Sequence, residues 1–458
     1  MSRRFALLLL PLLACSPIGG SPPVSEGAAW LRDYLKIDTT NPPGHESRAA
    51  DLLSGILARE GIPFQRIADQ PGRDNLWARL PASPGAQGAA QRAQGAILLL
   101  HHMDVVPAGP GWQVPAFSGE IQDGRLWGRG AIDDKSLGIA FLAAMIDLKR
   151  TGVQRTRDVI WLGVADEESG GGGGTASLLA KHPELFEGVT AVIGEGGANR
   201  VAQGRLLWWG IEVAQKRPLW LEVSAEGRGG HGSGLNPWSA NHDLIRGLDR
   251  LLEAPTPWRV SAPARDYLHA LAPLHNPYWK KRFLDIDRVV TPDGPREMLM
   301  PGLANLFLDT AQVTVLSGGD RINVIPARAS AQIDVRLLPD TDAVAYLRNL
   351  KKALGSDLQV QVLLTSQPAP ASPTTTPAYA AFQKALGGEG PVVPAFIAGF
   401  TDSRYFRERG IPAYGFSPFA LEGPDLAGIH AADERIPLVE LDRGIERTKR
   451  VLRALVSP

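Results

Sequence analysis

Ala96-Ile97-Leu98-Leu99-Leu100 runs directly into His101-His102-Met103-Asp104, so polar side chains begin where a run of apolar side chains ends. A short apolar run of this kind indicates a buried strand of a parallel sheet. Two more apolar runs, Val159–Ala165 and Ala191–Gly194, are also followed by acidic residues. In open α/β sheets the reacting groups gather beyond the carboxyl ends of the strands. The pattern therefore predicts an α/β fold with a functional site at that edge of its sheet.

The composition is typical of a globular protein with more than one domain. The chain has 458 residues, of which 44% are hydrophobic, and this length favours two or three domains. Lys and Arg (48) balance Asp and Glu (48). Because the net charge is zero, no strong field would attract nucleic acid or anionic lipid. We therefore expect a small, partly charged substrate and no nucleic-acid partner.

The amino terminus has the pattern of an export signal. Arg3-Arg4 precede the short apolar run Phe5–Leu13, which is too short for the roughly 20 residues that span a bilayer. Leu12–Cys15 resembles a bacterial lipoprotein processing box, and Cys15 is the only cysteine. We expect residues 1–15 to be a lipoprotein signal with a lipid on Cys15, which would anchor the exported protein in the cell envelope. The alternative is a simple signal peptide and a soluble periplasmic or secreted protein.

The pattern of elements changes after residue 213, which predicts a second domain inserted into the first. The predicted segments are a tether (16–27), the first domain (28–213 and 367–458) and the inserted domain (214–366), which itself carries an insertion at Pro255–Asn305. The elements predicted for the inserted domain are, in order, strand Leu219–Val223, helix Ala240–Leu252, strands Gln312–Leu316 and Ala329–Leu337, helix Asp342–Leu354 and strand Leu358–Leu364. The order βαββαβ is that of a ferredoxin-like unit.

His102 and Asp104 lie on one face of their predicted strand, because residues two apart in a strand point the same way. An aspartate beside a histidine ligand can accept the proton of its other ring nitrogen and so fix its orientation. We therefore predict that His102 binds a metal and that Asp104 orients it. His101 points the other way and is predicted to be a core histidine.

Acidic residues on two further turns complete a candidate metal site. A carboxylate such as that of Asp133 can bridge two cations, which a histidine cannot do. The alternative is that Asp133 or Asp134 caps the amphipathic helix predicted over Ser136–Arg150. Glu167 and Glu168 would be costly to bury side by side unless a metal took one and a water the other. Alone, such a pair is more often a solvated turn.

Taken together, five motifs resemble the zinc metallopeptidase family of glutamate carboxypeptidase, aminoacylase, carnosinase and succinyl-diaminopimelate desuccinylase. The motifs are His102–Pro107, Gly128–Lys135, Asp166–Glu168, Gly194–Gly197 and His430–Glu434. The resemblance runs from about Asp38 to the carboxyl terminus. It implies a zinc-peptidase-like catalytic domain with a central mixed, mostly parallel sheet flanked by helices, and an inserted ferredoxin-like lid and dimerisation domain.

The resemblance also implies two zinc ions in each subunit, although cobalt or manganese could occupy the same nitrogen and oxygen ligands. One ion would be held by His102, Asp133 and Glu195, and the other by Asp133, Glu168 and His430. Glu167 would be the general base, taking a proton from the attacking water and passing it to the leaving amine.

Three residues of the inserted domain match positions that bind the substrate in the family that the chain resembles. His231 would reach across the interface of a homodimer and donate a hydrogen bond to the developing oxyanion. Asn323 would bind the substrate's carbonyl group, and Arg336 its terminal carboxylate, which a guanidinium can hold with two hydrogen bonds. The alternative for Arg336 is an ion pair with Asp334.

The motif spellings are nearest to carboxypeptidase S and the secreted N-acyl-amino-acid hydrolases. Glu195, Trp127–Gly130 and Asp133–Lys135 carry this likeness. It predicts cleavage of an amide bond next to a free α-carboxylate, in a small peptide or an N-acyl amino acid. Two alternatives are a carnosinase-like dipeptidase, which requires a free amine, and a lipoprotein that binds metal without turnover. Glu167 argues against the second, because a binding site needs no unligated base.

Overall fold

The structure, a computed structural model, describes residues 24–83 and 95–457. Cys15, the predicted signal and most of the predicted tether (16–27) lie outside these residues, as do residues 84–94. Within the described part of the chain, no helix combines the length and the apolar character needed to cross a bilayer.

The described residues form twenty strands and thirteen α-helices. The strands are β1 (Phe64–Ile67), β2 (Asn75–Leu80), β3 (Ala96–His102), β4 (Glu120–Gln122), β5 (Arg125–Trp127), β6 (Asp158–Val164), β7 (Val189–Gly194), β8 (Arg200–Ala202), β9 (Arg205–Gln215), β10 (Arg217–Glu226), β11 (Gly230–His231), β12 (Val290–Thr291), β13 (Gly294–Pro295), β14 (Thr310–Ser317), β15 (Val324–Ile325), β16 (Arg328–Leu337), β17 (Gln359–Thr365), β18 (Val392–Ile397), β19 (Ala413–Gly415) and β20 (Arg435–Pro437). The helices are α1 (Glu26–Leu35), α2 (Glu46–Arg59), α3 (Lys135–Arg150), α4 (Thr175–Lys181), α5 (Ala240–Glu253), α6 (Ala262–Leu271), α7 (Pro277–Leu284), α8 (Ile286–Val289), α9 (Ala343–Leu354), α10 (Pro377–Leu386), α11 (Ser403–Arg407), α12 (Gly423–Leu426) and α13 (Leu438–Val456).

The large sheet is mixed, and its strands follow the order β1-β2-β6-β3-β7-β19-β9-β18. Pairing is parallel from β6 through β3 and β7 to β19, and again between β9 and β18. Pairing is antiparallel at β1-β2-β6 and between β19 and β9. All seven residues of β3 are buried, because helices cover both faces of the sheet. The predicted mixed sheet flanked by helices is thus confirmed.

Helix α3 lies at the centre of one helical layer, in contact with β3, β6, α1 and α13. An amphipathic helix from Ser136 was expected, but α3 begins at Lys135 and is buried on nearly every side. A helix enclosed by a sheet and by other helices needs apolar or small residues on all of its faces. An amphipathic helix, in contrast, has an apolar stripe on one face only. The turn that precedes α3 carries Asp133 and is therefore rigidly supported.

The second sheet is antiparallel, with the order β14-β16-β10-β17, and α5 and α9 pack on it. Its elements follow the predicted order βαββαβ, and each predicted strand and helix overlaps an observed one. Leu221, Val223, Ile333 and Leu354 belong to an apolar core distinct from the two cores of the large sheet. The second sheet and its two helices pack together around this core.

The predicted insertion Pro255–Asn305 contains α6, α7 and α8. Helix α6 packs against β18, the edge strand of the large sheet, and its Tyr267 and Leu268 join the core that also contains Trp208. The insertion therefore packs on the edge strand of the large sheet and extends its apolar core.

Candidate metal centre

Two histidines and two glutamates meet around Asp133. Its Oδ1 lies 3.0 Å from Nε2 of His102, and its Oδ2 lies 3.1 Å from Nε2 of His430. Nε2 of His102 is also 3.7 Å from Oε2 of Glu195, whereas Nε2 of His430 is 3.3 Å from Oε2 of Glu168. The structure thus brings all five predicted ligands together in two groups that share one carboxylate.

The sheet explains why residues so far apart in sequence converge. His102 ends β3, Glu195 follows β7, and Glu168 lies in a short 3-10 turn after β6. These three strands are adjacent and parallel, so their carboxyl ends meet at one edge. Asp133 comes from the turn before α3, and His430 from the loop after α12, where its φ of 56° is left-handed.

Charge is unbalanced in this cluster without cations. Burial, with help from Asp133 and Glu168, raises the pKa of Glu195 to about 7 against the opposing effect of His102. Burial also raises the pKa of Glu168. Oε1 of Glu168 is buried without a hydrogen-bond partner among the described residues. Several carboxylates buried together, one of them with an oxygen that no donor satisfies, fit a site for divalent cations.

Asp134 is a further possible donor that the motif comparison did not single out. One oxygen of Asp134 lies within 4.8 Å of donor atoms of His102 and Glu195. Asp134 occupies the N-cap position of α3, but its side chain makes no capping hydrogen bond; instead it accepts one from the backbone N–H of His102 at 3.3 Å. The helix-capping alternative for this side chain is therefore wrong.

The predicted role of Asp104 requires a correction. Nδ1 of His102 lies 2.9 Å from the backbone carbonyl oxygen of Asp104 but 3.6 Å from its carboxylate, so the carbonyl orients the ring. The carboxylate of Asp104 instead accepts hydrogen bonds from Asn41 (2.8 Å) and from the backbone N–H groups of Glu167 and Glu168 (3.1 Å each). Because β3 and β6 are adjacent, the carboxylate lies against the turn that follows β6 and binds its N–H groups there.

His101 is a core residue, as predicted. Its ring packs against Trp161 with centroids 4.6 Å apart. Burial, together with the nearby charge of His102, lowers the pKa of His101 to about 3, so the ring is neutral.

Glu167 lies beside the cluster without belonging to it. Its side chain is buried, and Oε1 has no hydrogen-bond partner in the described part of the chain. Burial raises the pKa of Glu167 well above its usual value, and the charges of Glu195 and Asp402 add to the effect. A buried, unpaired carboxylate with high proton affinity is suited to accept and return a proton.

The turn that carries Glu167 is held from three sides. Asp104 binds its N–H groups, as described above. Asp166, which precedes it with a left-handed φ of 70°, accepts hydrogen bonds from Arg73 (2.9 Å), Asn41 (3.1 Å) and the N–H of Gly173 (2.8 Å).

On the third side, the carbonyl oxygen of Gly170 accepts hydrogen bonds from Arg404 (2.6 Å) and Tyr405 (2.7 Å). The sequence interpretation missed Asp402, Arg404 and Tyr405. Their one local signal was their position shortly after the apolar run that forms β18.

His231 and Asn323 are exposed neighbours at the small sheet formed by β11 and β15. His231 pairs with Val324 in the β11–β15 ladder, and the N–H of Gly232 donates to the carbonyl oxygen of Asn323 at 2.8 Å. The Nδ1 atom of His231 is 2.8 Å from Oγ of Ser233. Among the described contacts, neither side chain bonds to a residue of the metal cluster. The structure therefore places these two predicted residues next to each other, but not in contact with the metal cluster of their own chain.

Arg336 forms an ion pair with Asp334, which was the alternative to a role in substrate binding. Its Nε and one Nη lie 2.7 and 2.8 Å from the two carboxylate oxygens of Asp334. Asp334 also accepts a hydrogen bond from Nε1 of Trp220 at 2.9 Å, and the guanidinium of Arg336 lies 4.4 Å from the ring centre of Phe400. These contacts fix the guanidinium in one orientation.

Comparison with known proteins agrees with this geometry. The profile described as "Peptidase family M20/M25/M40" matches residues 98–454. The chain is 29% identical to aminoacylase-1 of Sus scrofa over 93% of this chain and 94% of that protein. It is also 29% identical to the N-fatty-acyl-amino acid synthase/hydrolase PM20D1 of Xenopus tropicalis, over 74% of this chain and 68% of that protein. In fold it is similar to an M20 family metallo-carboxypeptidase of Sulfolobus solfataricus, with a TM-score of 0.69 at 20% identity, covering 94% of this chain and 99% of the other.

Proposed function

The chain belongs to peptidase family M20/M25/M40 and hydrolyses amide bonds, and we propose that it cleaves the amide bond next to a free α-carboxylate. The substrate class is an N-acyl amino acid or a small peptide, as the name of the N-fatty-acyl-amino acid hydrolase among its relatives suggests. The observation that carries the proposal is the position of Asp133, whose two oxygens each face one histidine of a paired ligand set.

Zinc is the metal we propose for both sites, because two imidazole nitrogens and three carboxylates without a thiolate suit it; cobalt or manganese would accept the same donors. His102, Asp133 and Glu195 would hold one ion, and Asp133, Glu168 and His430 the other. When bound, such a pair lowers the pKa of a water and polarises the scissile carbonyl group.

Glu167 is the proposed base. Its free Oε1 would take the proton of the attacking water, and the same carboxyl group would then donate that proton to the leaving amine. Burial, Glu195 and Asp402 raise the pKa of Glu167, which helps it to hold the proton between the two transfers. Its turn donates a hydrogen bond to Asp104 and accepts one from Arg404, and these bonds keep the carboxylate in place.

Arg336 is the proposed receptor for the substrate's carboxylate. Asp334 occupies its Nε and one Nη, which leaves the donors of the other Nη available. The side chain is one quarter exposed, so an incoming carboxylate can reach it. Preorganisation by Asp334 and by the ring of Phe400 would reduce the entropy lost on binding.

We further propose a homodimer in which His231 and Asn323 serve the site of the partner subunit. Both residues are exposed, and large apolar side chains close to them in sequence are exposed as well: Leu235 is 97% exposed, Trp238 71% and Ile322 105%. Burial of these side chains against a partner subunit would favour the dimer.

The proposed location is the cell envelope, with a lipid on Cys15. Support comes from the basic residues and the apolar run that precede Cys15, and from its being the only cysteine. Wild type should sediment with membranes and Cys15→Ser should not; equal sedimentation of the two would contradict the anchor.

A matched set of substrates tests the proposed function. We expect hydrolysis of an N-acetyl amino acid and much slower hydrolysis of its α-carboxamide, because the amide cannot pair with Arg336. Glu167→Gln should retain bound zinc and lose about 10²–10⁴ in turnover, whereas the exposed Glu184→Gln should match wild type. Full activity on the carboxamide would overturn the proposed recognition of the α-carboxylate. A requirement for a free amine would overturn the proposal in favour of a dipeptidase.

A further inference from the structure

Glu434 is a buried carboxylate that binds the turn carrying Asp133. It is 0% exposed and follows His430 by four positions. Oε1 accepts hydrogen bonds from the backbone N–H groups of Ile132 (2.7 Å) and Asp133 (3.0 Å). Oε2 accepts from the N–H of Gly130 (2.9 Å) and from Nη1 of Arg129 (2.7 Å). One side chain therefore satisfies four donors of the turn that ends at Asp133.

The segment that contains His430 is attached to the same region at two further points. The backbone carbonyl oxygen of Glu434 accepts a hydrogen bond from the N–H of Gly128 at 3.0 Å. The carboxylate of Asp433 accepts two hydrogen bonds, each 2.8 Å long, from the backbone and the side chain of Gln113. His430 and Asp433 both have left-handed φ values, 56° and 63°, so this loop depends on such contacts to keep its conformation.

We infer that Glu434 is a positioning residue that sets the distance between His430 and Asp133, and thereby the affinity of the second metal site. The inference rests on the proposed two-metal function. Without the side-chain bonds to Glu434, the backbone N–H groups of the turn of Asp133 would lose their attachment to the loop of His430, and the bonds at Gly128 and Gln113 would not replace it. The first site would be less affected, because its other ligands, His102 and Glu195, lie at strand ends.

Replacing the carboxylate by an amide tests this role with little change of shape. Glutamine offers one acceptor oxygen and one donor NH₂ group, so two of the four donors of the turn would face a donor. Partners outside the ligand set typically contribute 10- to 100-fold to metal affinity. We expect Glu434→Gln to bind one zinc ion as wild type does and the second about 10- to 100-fold more weakly.

The measurement is a zinc titration of metal-free protein by calorimetry or equilibrium dialysis, with circular dichroism to monitor the fold. Glu440→Gln is the matched control: Glu440 is also buried, accepts from the N–H of Ala420 at 2.7 Å and pairs with Arg447, away from the ligands. It should lower stability without a selective loss at the second site. If Glu434→Gln does not fold, Arg129→Met removes one of the four donors and should weaken the same site to a smaller extent.

Equal loss at both sites, unchanged affinity in Glu434→Gln, or the same selective loss in Glu440→Gln would overturn the inference. These results differ from failure of the proposed function, which would appear as fewer than two ions bound by the wild-type protein.

Discussion

His430 retains its proton to high pH in the metal-free chain. Hydrogen bonds to Asp133 and Glu168 raise its pKa to about 10, from an ordinary value of about 6.5. The imidazole is therefore protonated at pH 7–8, whereas a metal ligand must be unprotonated. We predict that zinc binding releases protons and that affinity rises with pH from 7 towards 10.

Calorimetry in two buffers of different ionisation enthalpy measures this release. Glu195, with a pKa of about 7, should also contribute to the proton release, at the lower end of the range from pH 7 to 10. A pH-independent affinity with no buffer dependence would show that the histidines do not change protonation when zinc binds.

Single residues were predictable where they had a local signal. His102, Glu168 and Glu195 each follow an apolar run that became a buried strand, so both their position and their proximity could be expected. His430 has no such run before it, and only the family resemblance singled it out. The role of Glu434 depends on hydrogen bonds to a turn some three hundred residues earlier, which no local pattern encodes.

The glycine run Gly170–Gly174 shapes the wall beside Glu167, and its members are not equivalent. A methyl group at Gly174 would overlap the carbonyl oxygen of Ala165, which belongs to the backbone and cannot easily move. A methyl group at Gly172 would lie 3.6 Å from Asp166, an ordinary contact. We predict that Gly174→Ala lowers the free energy of unfolding by about 1–3 kcal/mol and reduces turnover, because it displaces the turn of the base.

Gly172→Ala is the internal control for this prediction and should differ little from wild type in thermal unfolding and in activity. Equal effects of the two substitutions would mean that the run acts through general flexibility rather than through close contact.

Elements were predicted well where one face is apolar and the other polar. The apolar periodicity of strands and helices placed β10, β16 and α9 within a few residues of their observed bounds. The sequence predicts an amphipathic α3, whereas the observed helix is buried on nearly every side, because its enclosure by α1 and α13 is a tertiary effect that no local pattern shows. The insertion could not be placed for the same reason: its apolar residues pack on β18, an element of the other sheet.

At the scale of the whole molecule, a complete site is proposed to need two subunits. His231→Ala and Glu167→Gln should each be nearly inactive as homodimers, since loss of an oxyanion donor costs ~10²–10³ in turnover. After subunit exchange, a mixed dimer has one site with both an intact base and an intact His231. Random mixing should therefore restore about a quarter of wild-type activity.

The activity of the mixture is compared with the sum of the two separate variants, with wild type carried through the same exchange as the control. No gain above that sum would contradict the sharing of His231 between subunits.

The central claim is that five side chains from distant parts of the chain hold two ions that share Asp133. Anomalous diffraction at the zinc edge, from crystals of the zinc-loaded protein, tests it most directly. The account predicts two peaks about 3.5–4 Å apart, one beside His102 and Glu195 and the other beside Glu168 and His430. A single peak, or peaks that do not share Asp133, would contradict it.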